Sequence, residues 1–227
     1  MTLQATQLVG FTGHSSSAAS IATIEFTASV VDAVDRTTYT FSTVAIGTAG
    51  ANRHVAVSVH ASDLSGSTGI TSVTIGGVGA TQVVIQAGDI AGVSFTTAIY
   101  IAAVPTGATG DVVVVFAGGR SRCGIGVWAV YDLLSATAVD TQVKTSVVAA
   151  VAFPALATDA DGVAIFAVGS GGTTTHSWSS ATEDFDEAVE AGQSHSGASI
   201  STTGASISET VTASGDTEQA GVCASFR

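Results

Sequence analysis

Apolar and polar residues alternate along much of the chain with the two-residue period of β-strands. In residues 54–60, three valines alternate with alanine, serine and histidine. Residues 112–116 and 163–168 are instead continuously apolar, which is typical of strands that are covered on both faces. The Gly76-Gly77 pair lies between two strand patterns and predicts a hairpin.

About a dozen segments carry a strand pattern, and Val, Thr, Ser and Gly are abundant where helix formers are scarce. The predicted strands are residues 21–31, 37–46, 54–60, 70–75, 81–86, 93–104, 111–116, 123–131, 143–153, 162–168, 200–207 and 222–226. Continuous and alternating strands together predict two packed layers. We therefore expect an all-β fold: an antiparallel two-sheet β-sandwich, jelly-roll-like, with long Gly/Ser/Thr-rich loops.

The domain organisation follows from the absence of any proline-rich linker. We expect one β-sandwich domain over residues 1–227. Residues 169–221 are rich in Ser, Thr, Gly and acid and alternate weakly, so they form either long surface loops or a projecting hairpin. Within them, residues 183–190 (EDFDEAVE) are interpreted as a helical turn or a loop.

The charge composition of the chain limits the kinds of partner that it is expected to bind. Only 11% of residues are charged, the net charge is -12, and Lys144 is the only lysine. Nucleic-acid binding is not expected, because it depends on Lys and Arg neutralising phosphates. No apolar run is long enough to cross a membrane, and the first residues lack a signal-peptide pattern. A surface of hydroxyl and amide groups suits packing against other subunits, although an ordinary soluble acidic protein is the alternative.

No ligand cluster for a metal or a cofactor is evident. His54 and His60 flank one predicted strand and would lie roughly 20 Å apart. His176 and His195 lie in the loop-rich region near two aspartates, either as metal ligands or as solvated loop residues. Residues 158–162 (TDADG) are interpreted as a turn or as an incomplete calcium loop. We expect no metal and no cofactor.

Catalytic motifs are also missing. Ser170 lies between two glycines but not in a nucleophile elbow. The acidic residues 183–190 offer paired carboxylates for glycoside cleavage, or simply a solvated acidic loop. The only aromatic residues near them are Trp178 and Phe185. We therefore expect no enzymatic activity and no catalytic residue.

The sequence offers four residues for contact with a ligand or partner: Trp178, His176, Phe185 and His195. Trp178 is either an exposed anchor for a sugar or protein, or a residue that holds its loop against the sheet. Trp128 lies in an apolar strand and is expected in the core or an interface. The two cysteines, Cys123 and Cys223, are either bonded to each other or buried as free thiols.

Three central segments, SVTIGGVGATQVV, AIYIAAVPTGATGDVVVVF and RCGIGVWAVYDL, resemble a module of uncharacterised structural proteins of tailed bacteriophages. The resemblance covers roughly residues 37–135. It implies a virion protein, assembled in the host cytoplasm, that forms part of a tail, a head decoration or a fibre. Its expected partners are other virion subunits and copies of itself, with a trimer as the expected state. A carbohydrate-binding module that attaches to host glycans is the alternative.

Overall fold

The computed structural model describes residues 20–63, 69–190, 192–215 and 217–227. This part of the chain is all-β, without a helix, and all its paired strands are antiparallel. Nine strands lie in its N-terminal half: β1 (Thr23–Asp32), β2 (Arg36–Ala45), β3 (Arg53–Asp63), β4 (Ile70–Ile75), β5 (Val78–Gly79), β6 (Thr81–Ile90), β7 (Val93–Ala103), β8 (Thr109–Arg120) and β9 (Arg122–Tyr131).

Eight strands follow in the C-terminal half. They are β10 (Asp140–Ser146), β11 (Ala150–Ala152), β12 (Ala160–Gly171), β13 (His176–Trp178), β14 (Thr182–Glu190), β15 (Gln193–Thr203), β16 (Thr210–Ala213) and β17 (Gln219–Phe226). Four of these, β13 to β16, lie where the sequence predicts mainly loops. Residues 183–190 belong to strand β14 and form neither a helical turn nor a loop.

The strands form four sheets. The N-terminal inner sheet has the order β1-β9-β3-β7-β6, and the N-terminal outer sheet has the order β2-β8-β4-β5. The C-terminal inner sheet has the order β10-β17-β12-β15-β14, and the C-terminal outer sheet has the order β11-β16-β13. The expected all-β antiparallel fold is confirmed, but the described strands form four sheets and not two.

Three large apolar cores, with a fourth small cluster between the two inner sheets, hold these sheets together as stacked layers. The N-terminal core joins the two N-terminal sheets through residues such as Val57 and Val114. The central core joins the two inner sheets through residues such as Trp128 and Ile165. The C-terminal core joins the two C-terminal sheets through residues such as Phe166. The central strands of both inner sheets are therefore buried on both faces, because each inner sheet packs against the other and against its own outer sheet.

The two halves repeat one strand order. With the short strand β5 set aside, each half has eight strands, and the first, eighth, third, sixth and fifth form the inner sheet. The second, seventh and fourth form the outer sheet in the same order in both halves. The chain is thus two copies of one topology stacked through their inner sheets.

The two cysteines lie in different layers. Cys123 belongs to the N-terminal core and Cys223 to the C-terminal core, and both are free and buried. Burial raises the pKa of Cys223 to about 12 and that of Cys123 well above its usual value. Of the two interpretations, buried free thiols are therefore correct, and the central core separates the two sulfur atoms.

Candidate functional site

A chain of hydrogen bonds links Ser170, His176 and Asp186, which come from three strands consecutive in the sequence, β12, β13 and β14. Ser170 Oγ lies 2.8 Å from His176 Nε2, and His176 Nδ1 lies 2.6 Å from Asp186 Oδ1. The backbone N–H of His176 also donates to Asp186 Oδ2 at 2.8 Å. Nucleophilic hydrolases use this order of serine, histidine and aspartate. No sequence motif connects Ser170 with the other two residues.

The surroundings of Ser170 do not suit a nucleophile. Ser170 is fully buried, and the His176 side chain is also completely enclosed. The Ser170 hydroxyl also donates to Gln219 Oε1 at 3.4 Å, while the Gln219 amide donates to the carbonyls of Val148 and Ala149. A nucleophile must touch its substrate. The network instead satisfies buried polar groups between the C-terminal inner and outer sheets.

Trp178 lies in strand β13 of the C-terminal outer sheet, and its ring packs against the C-terminal core. Its ring stacks on Phe153 at 6.5 Å between centroids and lies 6.1 Å from Phe166. Its indole N–H donates to Ser196 Oγ at 2.9 Å. The residue is half-buried. Of the two interpretations of Trp178, the structure shows the one in which its ring packs onto the sheet.

Phe185 and His195 lie in the central core and not on the surface. Phe185 packs against His195, Phe26 and Trp128, with ring centroids 4.8, 5.6 and 5.8 Å away. Both residues are buried, as is His176. Of the four residues expected to contact a ligand or partner, only Trp178 has part of its side chain exposed. Contact with a partner at the other three stays a prediction that would need the layers to open.

His60 and His195 face each other across the central core, with ring centroids 6.3 Å apart. His60 Nε2 lies 3.2 Å from Gln193 Oε1 and its Nδ1 lies 3.4 Å from Thr97 Oγ1. Burial, together with a smaller effect of the nearby His195, lowers the pKa of His60 to about 3. Burial also lowers the pKa of His195, although Glu187 opposes that change. Both imidazoles are therefore neutral at neutral pH.

Four of the five acidic residues of β14 have a hydrogen-bond or ion-pair partner, including Asp186, which binds His176. Asp184 accepts the Trp128 indole N–H at 2.7 Å, and Glu190 pairs with Arg122 at 2.9 Å. Glu187 accepts the Ser29 hydroxyl at 2.9 Å. Burial raises the pKa of Asp184. Within the described residues, no three side chains of His, Cys, Asp or Glu are grouped to hold a metal ion.

Glu209 is a buried charge that the sequence analysis missed. Its carboxylate accepts backbone N–H groups from Ser179, Ser180 and Ala181 and the hydroxyls of the two serines. Burial alone would raise the pKa of Glu209, but these hydrogen bonds outweigh burial and lower it. Glu209 thus fixes the turn between β13 and β14 against the start of β16. Nothing in its local sequence distinguishes it from an exposed glutamate.

An open groove of about 530 Å³ runs between the two halves at the edge of β6. Its lining is uncharged and includes Thr81, Gln82, Ile101 and Thr141. His54 also lines it, and the buried Nδ1 atom of His54 has no hydrogen-bond partner. A neutral polar ligand would suit this groove better than an ion.

Comparison with known proteins gives no family for the chain: no protein-family model and no curated protein matches it. In the part of the chain that the structure describes, no helix is long and apolar enough to span a membrane.

Proposed function

We propose that the chain is a structural subunit of a virus particle, namely a tail, head-decoration or fibre component of a tailed bacteriophage. It acts by binding other virion subunits and copies of itself, without catalysis. The repeated strand order carries the proposal. Each half has eight strands divided between two packed sheets, which we interpret as a jelly-roll variant of the β-sandwich. Jelly rolls build many viral capsids, and this support is an analogy of fold.

The burial of polar chemistry supports the same role. The network of Ser170, His176 and Asp186 is enclosed between two sheets, and four of the five carboxylates of β14 bind neighbouring side chains. A stack of four layers with three cores forms a rigid unit. Its weakly charged surface, with 11% charged residues in the whole sequence, is cheap to desolvate in a subunit contact.

The test is the composition of purified particles. Mass spectrometry of gradient-purified virions from the phage that encodes this chain should detect it at a fixed number of copies per particle. Particles from a deletion strain, purified identically, are the control. Absence of the chain from wild-type particles, with the other structural proteins present, would overturn the proposal.

A carbohydrate-binding role is the second candidate, because lectins also use jelly rolls and because the uncharged groove suits a sugar. A glycan array would show binding that Gln82→Ala weakens at least tenfold. Trp178→Ala is the matched variant outside the groove, at the residue that the sequence analysis favoured. Binding lost in Trp178→Ala but kept in Gln82→Ala would move the site to the outer sheet, and no binding to any glycan would remove this candidate.

A further inference from the structure

Strand β10 is an open edge of the C-terminal inner sheet. Among the described strands it pairs only with β17. Nine large apolar side chains are exposed in the described residues, and four of them lie in residues 139–148: Val139, Val143, Val147 and Val148. A sheet edge with unpaired backbone groups and exposed apolar side chains is a template for pairing with another chain.

The opposite edge of the same sheet is protected. Strand β14 carries five carboxylates: Glu183, Asp184, Asp186, Glu187 and Glu190. Two copies of β14 placed side by side would bring these like charges together, which disfavours pairing. Strand β10 has only one acidic residue, Asp140, and one basic residue, Lys144. Of the two edges, only β10 is therefore suited to contact with another subunit.

The charges of β10 complement those of a second β10. Asp140 and Lys144 are four residues apart, so their side chains are on the same face of the strand. In an antiparallel pair centred on Gln142, each Asp140 stands directly opposite the Lys144 of the other copy. Lys144 is the only lysine of the chain, and it has no ion-pair partner among the described residues.

The same register suits the rest of the strand. Each Val143 stands opposite a Thr141, and the exposed pair Val147 and Val148 reaches the segment before β10 of the other copy. The pKa of Asp140 supports a charged carboxylate: burial would raise it, but hydrogen bonds from Ala157, Gln142 and Thr141 outweigh burial and lower it. Opposite charges that face each other across antiparallel strands stabilise the pair.

We propose that β10 pairs antiparallel with β10 of a second copy of this chain, centred on Gln142, so that the two C-terminal inner sheets become one continuous sheet. The contact is two-fold, because the same strand is used by both copies. It predicts a dimer in solution in place of the trimer expected from the sequence. This inference rests on the proposed function and specifies how one subunit binds another.

Light scattering after size-exclusion chromatography tests the charge pairing. The wild-type chain should elute with the mass of a dimer over a dilution series. Lys144→Glu places two acids opposite each other, so its dimer should dissociate at least tenfold more readily. Arg36→Glu, on the exposed part of β2, makes the same change in net charge and should remain dimeric. A thermal melt by circular dichroism checks that Lys144→Glu is folded.

Cysteine cross-linking tests the register. Thr141 and Val143 face each other only between copies, and within the chain they pair with Ala224 and Val222. An oxidised mixture of Thr141→Cys and Val143→Cys should form a disulfide-linked dimer, since opposed residues are within bonding distance. Each variant alone should cross-link far less. The native thiols, Cys123 and Cys223, are buried and serve as the background.

A monomeric wild-type chain, an unchanged mass for Lys144→Glu, or no preference for the mixed cross-link would each overturn β10 pairing. These outcomes are separate from the test of the proposed function. If the chain is present in virions and Lys144→Glu is incorporated normally, the pairing fails and the virion role stands. If the chain pairs through β10 but is absent from virions, the reverse holds.

Discussion

At the level of single residues, the packing of the central core depends on two contacts, in each of which a histidine of one inner sheet lies against a glycine of the other. His60 of the N-terminal half packs against Gly169, and His195 of the C-terminal half packs against Gly124. A Cβ atom at Gly124 would lie 2.6 Å from His195 Cε1, and one at Gly169 would overlap the His60 ring. The inner sheets approach closely at these points because glycine has no side chain.

Gly169→Ala should therefore destabilise the protein. The added methyl would overlap a ring that is buried on all sides, and overpacking of this kind typically costs about 1–3 kcal/mol of unfolding free energy. Gly119→Ala is the matched control, since a Cβ there meets nothing within 4 Å, and it should stay within about 0.5 kcal/mol. Urea denaturation measures both. Equal stability of the two variants would contradict the close packing described here.

His60 should make stability depend on pH. Its pKa is about 3 in the folded protein and 6.5 as the ordinary value, so the unfolded chain binds the proton first. The contribution of neutral His60 is complete above pH 6.5 and is lost as the pH falls from 6.5 towards 3. The slope for one such group reaches about 1.4 kcal/mol per pH unit.

The variant His60→Gln separates this effect from general acid sensitivity. Glutamine retains hydrogen-bonding groups but does not titrate, so its free energy of unfolding should fall less steeply with pH. Urea denaturation at pH values between 7 and 4.5 measures the two slopes. Burial also lowers the pKa of His195, which is present in both proteins. Identical slopes would show that His60 does not contribute.

At the scale of elements, the C-terminal outer sheet is small and is held by polar anchors. Its three strands have three or four residues each. Strand β13 is joined to the inner sheet by the bonds from His176 to Ser170 and Asp186. The turn after β13 is joined to β16 by Glu209. Because this small sheet buries little apolar area, hydrogen bonds between buried polar groups help to hold it against the inner sheet.

Glu209→Gln should loosen this sheet. An amide has one oxygen acceptor, so several of the donors that now bind the carboxylate would lose a charged partner. Leaving buried donors unpaired costs about 1–3 kcal/mol. Glu25→Gln, at an exposed position of β1, is the control and should have little effect. Thermal unfolding by circular dichroism compares them, and a Glu209→Gln midpoint equal to that of the control would contradict the anchoring role.

At the scale of the whole molecule, the central core is common to both halves. It contains side chains of both inner sheets, including Trp128 and Ile101 from one half and Ile165 and Phe226 from the other. Neither half can expose its inner sheet without exposing that of the other half. The two halves should therefore unfold together, although each repeats a complete strand order.

The two tryptophans can test this cooperativity, because one lies in each half. The tryptophan fluorescence of Trp178→Phe comes from Trp128 alone, and that of Trp128→Phe comes from Trp178 alone. In each variant, urea unfolding followed by tryptophan fluorescence should coincide with unfolding followed by far-ultraviolet circular dichroism. A fluorescence transition clearly separated from the dichroism transition in either variant would show that one half unfolds independently.

The amino-acid sequence is sufficient to predict that the chain folds as β-strands, because the two-residue period and the shortage of helix formers are local properties. It also predicted correctly that residues 163–168 are buried on both faces. The sequence pattern did not predict correctly whether the second face of every strand is covered by another sheet. Residues 112–116 look the same but belong to β8, whose alternate residues are only partly buried. The alternating strand β3 is in contrast covered on both faces by two sheets.

Which sheet covers which face depends on long-range strand pairing, so it is seen only in the folded chain. In the sequence, the small residues Ala56 and Ser58 are typical of a solvent-exposed strand face. Both are nevertheless buried, because their small size lets a second sheet pack closely against β3. The network of Ser170, His176 and Asp186 could not be predicted from the sequence for a related reason. Its members come from three strands, and a period within one strand carries no information about the neighbour that long-range pairing will place beside it.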